Sequence, residues 1–189
     1  MKLESTLQRE NNYLKAIVII ALYFLLLSAE FLLAYIAAPS ISMVANPLIT
    51  LFGFEWLDII LIGAATGIIY IPAVCYMFIW KKRPIIERLD FKHFIAHLWG
   101  KPQMLDSVLA LSCYMVIWIL PILRIIVIID WLVFLVWSTN ISTLYHNMVG
   151  IYFLNLHGIN IVSISAALIL SPVFAMIWYY HEYRKNISN

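Results

Sequence analysis

Charged side chains are scarce in this chain of 189 residues, where 12 basic and 10 acidic residues make up only 12% of the sequence. An ordinary soluble domain carries about twice that share, because a surface in water needs polar groups to cover it. Hydrophobic residues form 64% of the chain. The composition therefore excludes a soluble enzyme and indicates an integral membrane protein surrounded by the lipid bilayer.

The chain also lacks paired cysteines, a large net charge and low-complexity tracts. Its two cysteines, Cys75 and Cys113, both lie in apolar segments, so we expect neither a disulfide framework nor a CxxC redox site. The net charge of +2 is too small to favour nucleic acid as a partner. Aromatic residues at 15% need burial in protein or lipid, which excludes a disordered chain.

Motifs of the common enzyme classes are missing as well. The sequence contains no GxSxG nucleophile elbow, no glycine-rich phosphate loop and no Walker-type or dinucleotide-binding motif. We therefore expect a non-enzymatic protein without a cofactor.

What the sequence has is a succession of apolar segments that are long enough to cross a bilayer. A helix needs about 20 apolar residues to cross a hydrocarbon core of roughly 30 Å. We predict an all-α fold, a polytopic transmembrane helical bundle that forms a single integral membrane domain with five spans. The predicted spans are 13–38, 57–80, 105–122, 125–153 and 159–180. Aromatic residues at segment ends are expected to anchor the chain at the interface: Trp56, Trp80, Trp99, Trp178, Tyr179 and Tyr180.

The division of the apolar stretch after Met104 leaves alternatives open. The candidate turn points are Pro121, Arg124, Asp130, the stretch from Ser138 to Ser142, and Gly158. The five-span arrangement has a tight turn near Arg124 and an outer C-terminus. Arrangements with four or six spans and both termini inside compete with it.

Basic residues are concentrated in the segment 81–103, where six basic side chains occur against two acidic ones. Cytoplasmic loops carry an excess of Lys and Arg, so we predict that this loop and the N-terminus lie in the cytoplasm. Lys81, Lys82 and Arg83 directly follow the second span and are expected to bind anionic lipid. The sequence does not indicate which membrane holds the protein.

Four charged residues lie in or beside the apolar segments: Glu30, Asp58, Arg124 and Asp130. A charge at membrane depth needs a partner or water. In the five-span arrangement all four lie toward the outer leaflet, where Arg124 can neutralise a carboxylate. An internal ion pair that fixes helix packing is the expected role, and an ion or proton pathway or interfacial snorkelling are the alternatives.

Two glycines and a proline lie in the second span. Gly63 and Gly67 have the small-xxx-small spacing that allows another helix to approach closely. Pro72 is expected to kink the span.

The most polar stretch inside an apolar segment begins at Ser138. Its side chains can join helices by hydrogen bonds, and helix association is the favoured interpretation, with an outer loop or a ligand cavity as alternatives. The candidate residues are Asn140, Ser142, Thr143, His146 and Asn147.

Histidine spacing gives weak support for a metal. His93 and His97 stand one helical turn apart in the segment 85–99, which is predicted as an in-plane helix of weak amphipathicity. Two such imidazoles can share a metal, but no HExxH motif is present and the cysteines belong to spans. His146 and His157 lie about 16 Å apart along one helix, which is too far to hold one haem. We expect neither metal nor haem.

A diffuse pattern runs from Leu98 to Pro172. It consists of a glycine-led entry to a helix that ends near a proline, followed by a penultimate turn and a last span. The residues are Leu98-Trp99-Gly100-Lys101, Leu109-Ala110-Leu111, Tyr114, Pro121, Trp137, 151–159, Ser165-Ala166-Ala167-Leu168 and Pro172. This pattern resembles a Yip1-type five-span membrane domain. The resemblance implies interaction within the membrane and, in eukaryotic relatives, traffic between early secretory compartments through small GTPases and sister proteins; it implies no catalytic residues.

The favoured function is that of a partner, assembly or trafficking component of a membrane complex, which acts through helix–helix contacts with other membrane proteins. The alternatives are a transporter or channel component that uses Glu30 and Arg124, and a haem- or quinone-linked membrane subunit.

Overall fold

A computed structural model of the protein describes residues 2–38, 53, 55–80, 90–100, 103–139, 141 and 161–188. Every regular element in these ranges is a helix and none is a strand, which confirms the all-α prediction. The helices are α1 (Lys2–Ala37), α2 (Trp56–Cys75), α3 (Phe91–Leu98), α4 (Met104–Trp137) and α5 (Ile161–Ser188). A π-helical segment, Tyr76–Trp80, directly follows α2.

Three of the described helices are long and apolar enough to cross a membrane. The stretches are Glu10–Ala37, Trp56–Trp80 and Met104–Trp137, and the first two agree with the predicted spans 13–38 and 57–80. The helical fold and these apolar helices fit a membrane protein by length and composition. The total of five spans stays a prediction.

Helix α4 is continuous where the sequence predicts two separate spans. It runs from Met104 to Trp137 through both Pro121 and Arg124, so the predicted turn near Arg124 is wrong. The helix ends later, where Ser138 adopts a left-handed backbone with φ of 54° and its N–H donates to the carbonyl of Phe134 at 2.8 Å. Such a residue is a common way to end a helix.

Pro121 is accommodated inside α4 by a donor from another helix. A proline has no N–H, so Pro121 cannot bond to the carbonyl of Ile117 four residues earlier. The hydroxyl of Tyr70 on α2 donates to that carbonyl at 3.3 Å, and both residues are buried. The freed carbonyl is thus satisfied, and the helix continues.

Helix α2 also contains a proline, and its geometry changes soon afterwards. The α-helix runs through Pro72 and passes into the π-helical segment Tyr76–Trp80. Irregular turns of this kind are typical of places where the regular hydrogen-bond ladder is disturbed. A kink at Pro72 stays a prediction.

The chain divides into two compact units. The first unit comprises Met1–Ile20, Tyr70–Leu120 and Ile169–Asn189, and the second comprises Ala21–Ile69 and Pro121–Leu168. The second unit holds the predicted charged residues Glu30, Asp58, Arg124 and Asp130.

The core of the first unit joins α3 to α4 and α5. It is formed by the buried side chains Phe94, Leu98, Ala110 and Trp178. Trp178 is only 1% exposed, so its indole packs inside the protein. Its predicted position at the membrane interface stays a prediction.

Candidate functional site

Three helices of the second unit bring polar side chains together. Glu30 lies on α1, Thr66 on α2 and Arg124 on α4. Arg124 Nη1 donates to both carboxylate oxygens of Glu30, at 2.9 Å to Oε1 and 2.8 Å to Oε2. Arg124 Nη2 donates to Thr66 Oγ1 at 3.2 Å. The structure thus pairs Arg124 with one of the three candidate carboxylates and adds a hydroxyl from a third helix.

Tyr23 completes this group, which we call the polar cluster: Tyr23, Glu30, Thr66 and Arg124. Its hydroxyl hydrogen-bonds to Thr66 Oγ1, and the side chain is fully buried. Tyr23 and Glu30 are seven residues apart, so they lie two turns apart on the same face of α1.

The donors and acceptors around Thr66 are balanced. Its hydroxyl donates to the carbonyl of Gly63 at 2.5 Å, which uses its single proton. The two lone pairs of the oxygen then accept from Arg124 and from Tyr23. Thr66 is therefore saturated, and it connects the arginine of α4 to the tyrosine of α1.

Burial makes the pairing of charges important for stability. The side chains of Arg124 and Glu30 are 17% and 13% exposed. A carboxylate or guanidinium withdrawn from water loses several kcal/mol of solvation, and charge-assisted hydrogen bonds offset that loss. Neither ion can be removed alone without leaving the other unpaired.

Aromatic rings pack beside the polar cluster on the two glycines of α2. A Cβ atom placed on Gly67 would lie 2.5 Å from Phe24 Cζ, and one placed on Gly63 would overlap the ring of Phe31. The glycines therefore provide room for side chains of α1. Side chains of α1, rather than its backbone, fill this space, so the close backbone approach expected from the small-xxx-small spacing stays a prediction.

Asp58 has a different role from Glu30. Its Oδ2 accepts the backbone N–H of Glu55 at 2.9 Å, directly before the first turn of α2, so it caps the N-terminus of that helix. Asp130 lies partly buried on α4, six residues after Arg124. The structure thus separates Asp58 from the pair of Glu30 and Arg124, with which the sequence groups it.

The remaining candidate residues are only partly described. The polar patch Asn140, Ser142, Thr143, His146 and Asn147 lies outside the described residues, as do Lys81, Lys82 and Arg83.

His93 and His97 are exposed on α3. His93 Nδ1 contacts the carboxylate of Asp90, and this hydrogen bond lowers the pKa of Asp90 below its ordinary value. Within the described ranges, no three potential ligands among His, Cys, Asp and Glu come together as a metal site.

Sequence reasoning missed Tyr23, Thr66 and Tyr70. Residues with a hydroxyl group are common in apolar helices. The neighbouring sequence does not show which of them forms a hydrogen bond with an arginine of another helix. The usable signal for Tyr23 is its two-turn spacing from Glu30. For Tyr70 the partner is a carbonyl 47 residues later, which no local pattern reveals.

The Yip1-type resemblance stays a prediction, because no result of the comparisons bears on it. Comparison of the chain with protein-family models, with curated proteins and with solved structures finds no match.

Proposed function

We propose that the protein is a non-enzymatic integral membrane component that acts through helix–helix contacts as a partner, assembly or trafficking factor of a membrane complex. The observation that carries this proposal is the hydrogen bonding of the polar cluster within itself, across three helices. Arg124 is engaged by Glu30 and Thr66, and the Thr66 oxygen has no acceptor site left. Groups used in this way hold helices together, whereas a catalytic group must face a substrate.

The outer surface of the helices suits contacts with lipid and with other helices. Large apolar side chains are exposed on α1 and α2, among them Leu14, Ile17 and Ile68. In the bilayer, helices associate through packing and interhelical hydrogen bonds. A fixed arrangement of α1, α2 and α4 would present the same surface to a partner each time.

A quantitative pull-down tests the proposal. The tagged protein is extracted in a mild detergent, and co-purified proteins are measured by mass spectrometry against an unrelated tagged membrane protein. We expect one or more membrane proteins in stoichiometric ratio, and we expect them to be lost with Arg124→Leu but retained with Lys92→Gln, which changes an exposed residue of the first unit. Purification of the folded chain without a stoichiometric partner would contradict the proposal.

A transporter or channel component is the second candidate. It is favoured by the hydrogen-bonded series of polar groups that crosses three helices, because such series can relay protons. Proteoliposomes with a pH-sensitive dye distinguish the two. Proton flux that Glu30→Gln abolishes would support transport, and tight vesicles would support the structural role. An absorbance spectrum of the purified protein tests the haem-linked alternative.

A further inference from the structure

Helix α3 has two unlike faces. Phe94 and Leu98 are buried in the core of the first unit, whereas His93 and His97 are exposed. The prediction of weak amphipathicity for 85–99 is therefore wrong for this part of the segment, because the helix begins only at residue 91 and its two buried side chains lie one turn apart on one side.

The buried face of α3 fixes the helix on its neighbours. The ring of Phe94 lies 5.5 Å from the ring of Tyr183 on α5. Ser107 on α4 donates its hydroxyl to the carbonyl of Leu98 at 2.7 Å. The position of the helix is thus set by contacts on its buried side, and the exposed side can serve another purpose.

His93 and His97 stand four residues apart on the exposed side of α3. Side chains at this spacing on a helix have Cβ atoms about 5–6 Å apart. It is the spacing with which two imidazoles of one helix bind zinc in the HExxH motif. In the sequence this spacing is the only sign of a metal, and no metal is expected from it. The structure adds a third residue to the pair.

That residue is Asp90, which holds the ring of His93. Its carboxylate contacts His93 Nδ1, and this hydrogen bond lowers the pKa of the Asp90 carboxyl below its ordinary value. An ionised carboxylate can only accept, so Nδ1 carries the proton and Nε2 of the neutral ring presents its lone pair. Metal-binding histidines commonly donate their other ring N–H to a carboxylate, which fixes the tautomer and the orientation of the ring.

We propose that His93 and His97 bind a divalent ion of a first-row transition metal, with Asp90 as the positioning residue of His93. The site has two protein ligands, and water completes the coordination of the ion. It is therefore an open site, and it needs no group of three ligands, which the described part of the chain does not contain. The site lies in the first unit and goes beyond the partner role proposed above.

The charges beside the two imidazoles indicate which ions the site selects. Lys92 and Asp90 are both exposed next to His93, so one positive and one negative charge offset each other. Attraction of a cation by charge is therefore small, and affinity comes from the two ring nitrogens. Such ligands suit copper, nickel and zinc, whereas magnesium and calcium prefer oxygen.

Copper binding by the purified full-length chain tests the proposal. The protein is purified through a tag without histidine, placed in phosphatidylcholine nanodiscs and mixed with Cu²⁺ at pH 8 in a buffer that does not bind metals. Pulsed electron paramagnetic resonance then counts the imidazoles on the copper. Competition with a chelating dye gives the dissociation constants for Cu²⁺ and Zn²⁺.

We expect one copper ion with two imidazoles in each chain, and we expect Mg²⁺ not to displace it. Asp90→Asn keeps a good helix cap but removes the carboxylate, and it should weaken binding by about tenfold, the lower end of the effect of such supporting residues. His97→Gln should leave one imidazole on the copper and weaken binding more than Asp90→Asn does. His181→Gln, at an exposed histidine of α5, is the matched control and should bind as the parent does. Circular dichroism verifies that each variant is folded.

Two results would overturn the site: a parent protein without a copper ion bound by two imidazoles, or such an ion that persists in the folded double variant His93→Gln/His97→Gln. Loss of binding in His181→Gln would place a ligand on α5 and would equally overturn it. Parent affinity in Asp90→Asn would overturn the positioning role of Asp90. These readouts use the purified chain alone, so the result of the pull-down does not affect them.

Discussion

Arg124 is the residue on which the contacts of the second unit converge, because its guanidinium reaches α1 through Glu30 and α2 through Thr66. The energetic argument for such a pair is asymmetric. A complete pair can be close to neutral for stability relative to apolar residues of similar size, whereas half a pair is strongly destabilising. A change in the free energy of unfolding is therefore expected when one partner is removed, and little change when both are replaced.

Arg124→Leu is expected to lower the free energy of unfolding by about 3 to 5 kcal/mol, because it leaves Glu30 unpaired in apolar surroundings. Glu30→Gln should have a smaller effect, since the neutral amide oxygen still accepts from Arg124. The double variant should recover much of the loss. Unfolding in detergent, followed by circular dichroism for both single variants and the double variant, gives the coupling energy. Additive losses would mean that the two groups do not interact.

A second prediction concerns the ring of Phe24 on Gly67. Gly67→Ala places a Cβ atom 2.5 Å from Phe24 Cζ, so the ring must move, and we expect a loss of about 1 to 3 kcal/mol. Phe24→Leu shortens the side chain and should recover part of that loss. Ala65→Leu on the exposed side of the same helix is the control and should be neutral. Equal effects at positions 65 and 67 would argue against the contact.

The sequence supports the pairing of Glu30 with a cation, since an isolated carboxylate in a long apolar segment has to find a partner. The sequence does not show whether Glu30 or Asp58 pairs with Arg124, because both precede Arg124 in apolar segments. Which carboxylate needs the arginine depends on its position along its helix. Asp58 lies in the first turn of α2, where the free backbone N–H groups already provide a partner. Glu30 lies inside α1, which continues to Ala37, so no free backbone N–H group is available to it.

At the scale of elements, α4 shows why local signals misplace a turn. Pro121 and Arg124 are both unfavourable inside an apolar helix when considered alone. Each is compensated by a side chain that is distant in sequence, Tyr70 for the proline and Glu30 for the arginine. The helix therefore continues through a stretch in which composition favours a break.

Tyr70→Phe removes the donor to the Ile117 carbonyl and should lower stability by about 1 to 3 kcal/mol, the effect of leaving a buried polar group unsatisfied. In a Pro121→Ala background the new backbone N–H can bond to that carbonyl, so the same change should have little effect. Unfolding measurements on the four proteins give the coupling. Tyr180→Phe, at an exposed tyrosine, is the control. An equal loss in both backgrounds would mean that Tyr70 acts through packing alone.

At the scale of the whole molecule, the sequence predicts the helical class and two of the apolar helices with accuracy, because length and hydrophobicity decide both. The number of spans depends on where helices end. Of the candidate turn points, α4 continues through Pro121, Arg124 and Asp130 and ends at Ser138, and composition alone does not choose among them. The arrangement of the polar cluster needs contacts between residues up to 94 positions apart, which periodicity does not supply.

Orientation in the membrane is the prediction at this scale. In a background without Cys75 and Cys113, Lys92→Cys should resist an impermeant thiol reagent in intact cells, because the basic loop is expected on the cytoplasmic side. Glu55→Cys is exposed at the other end of α2 and should react from outside. Both should react after the cells are opened. Labelling of Lys92→Cys in intact cells would reverse the orientation.

The separation of Glu30 and Arg124 along the chain also has a consequence for biogenesis. The two residues are 94 positions apart, and ribosomes add roughly 5 to 20 residues each second. Glu30 is therefore synthesised about 5 to 20 s before Arg124. During that time it has to be protonated, hydrated or held by the insertion machinery. A nascent chain halted before residue 124 should consequently be extracted from the membrane and degraded faster than one halted after α4, and Glu30→Leu should remove that difference.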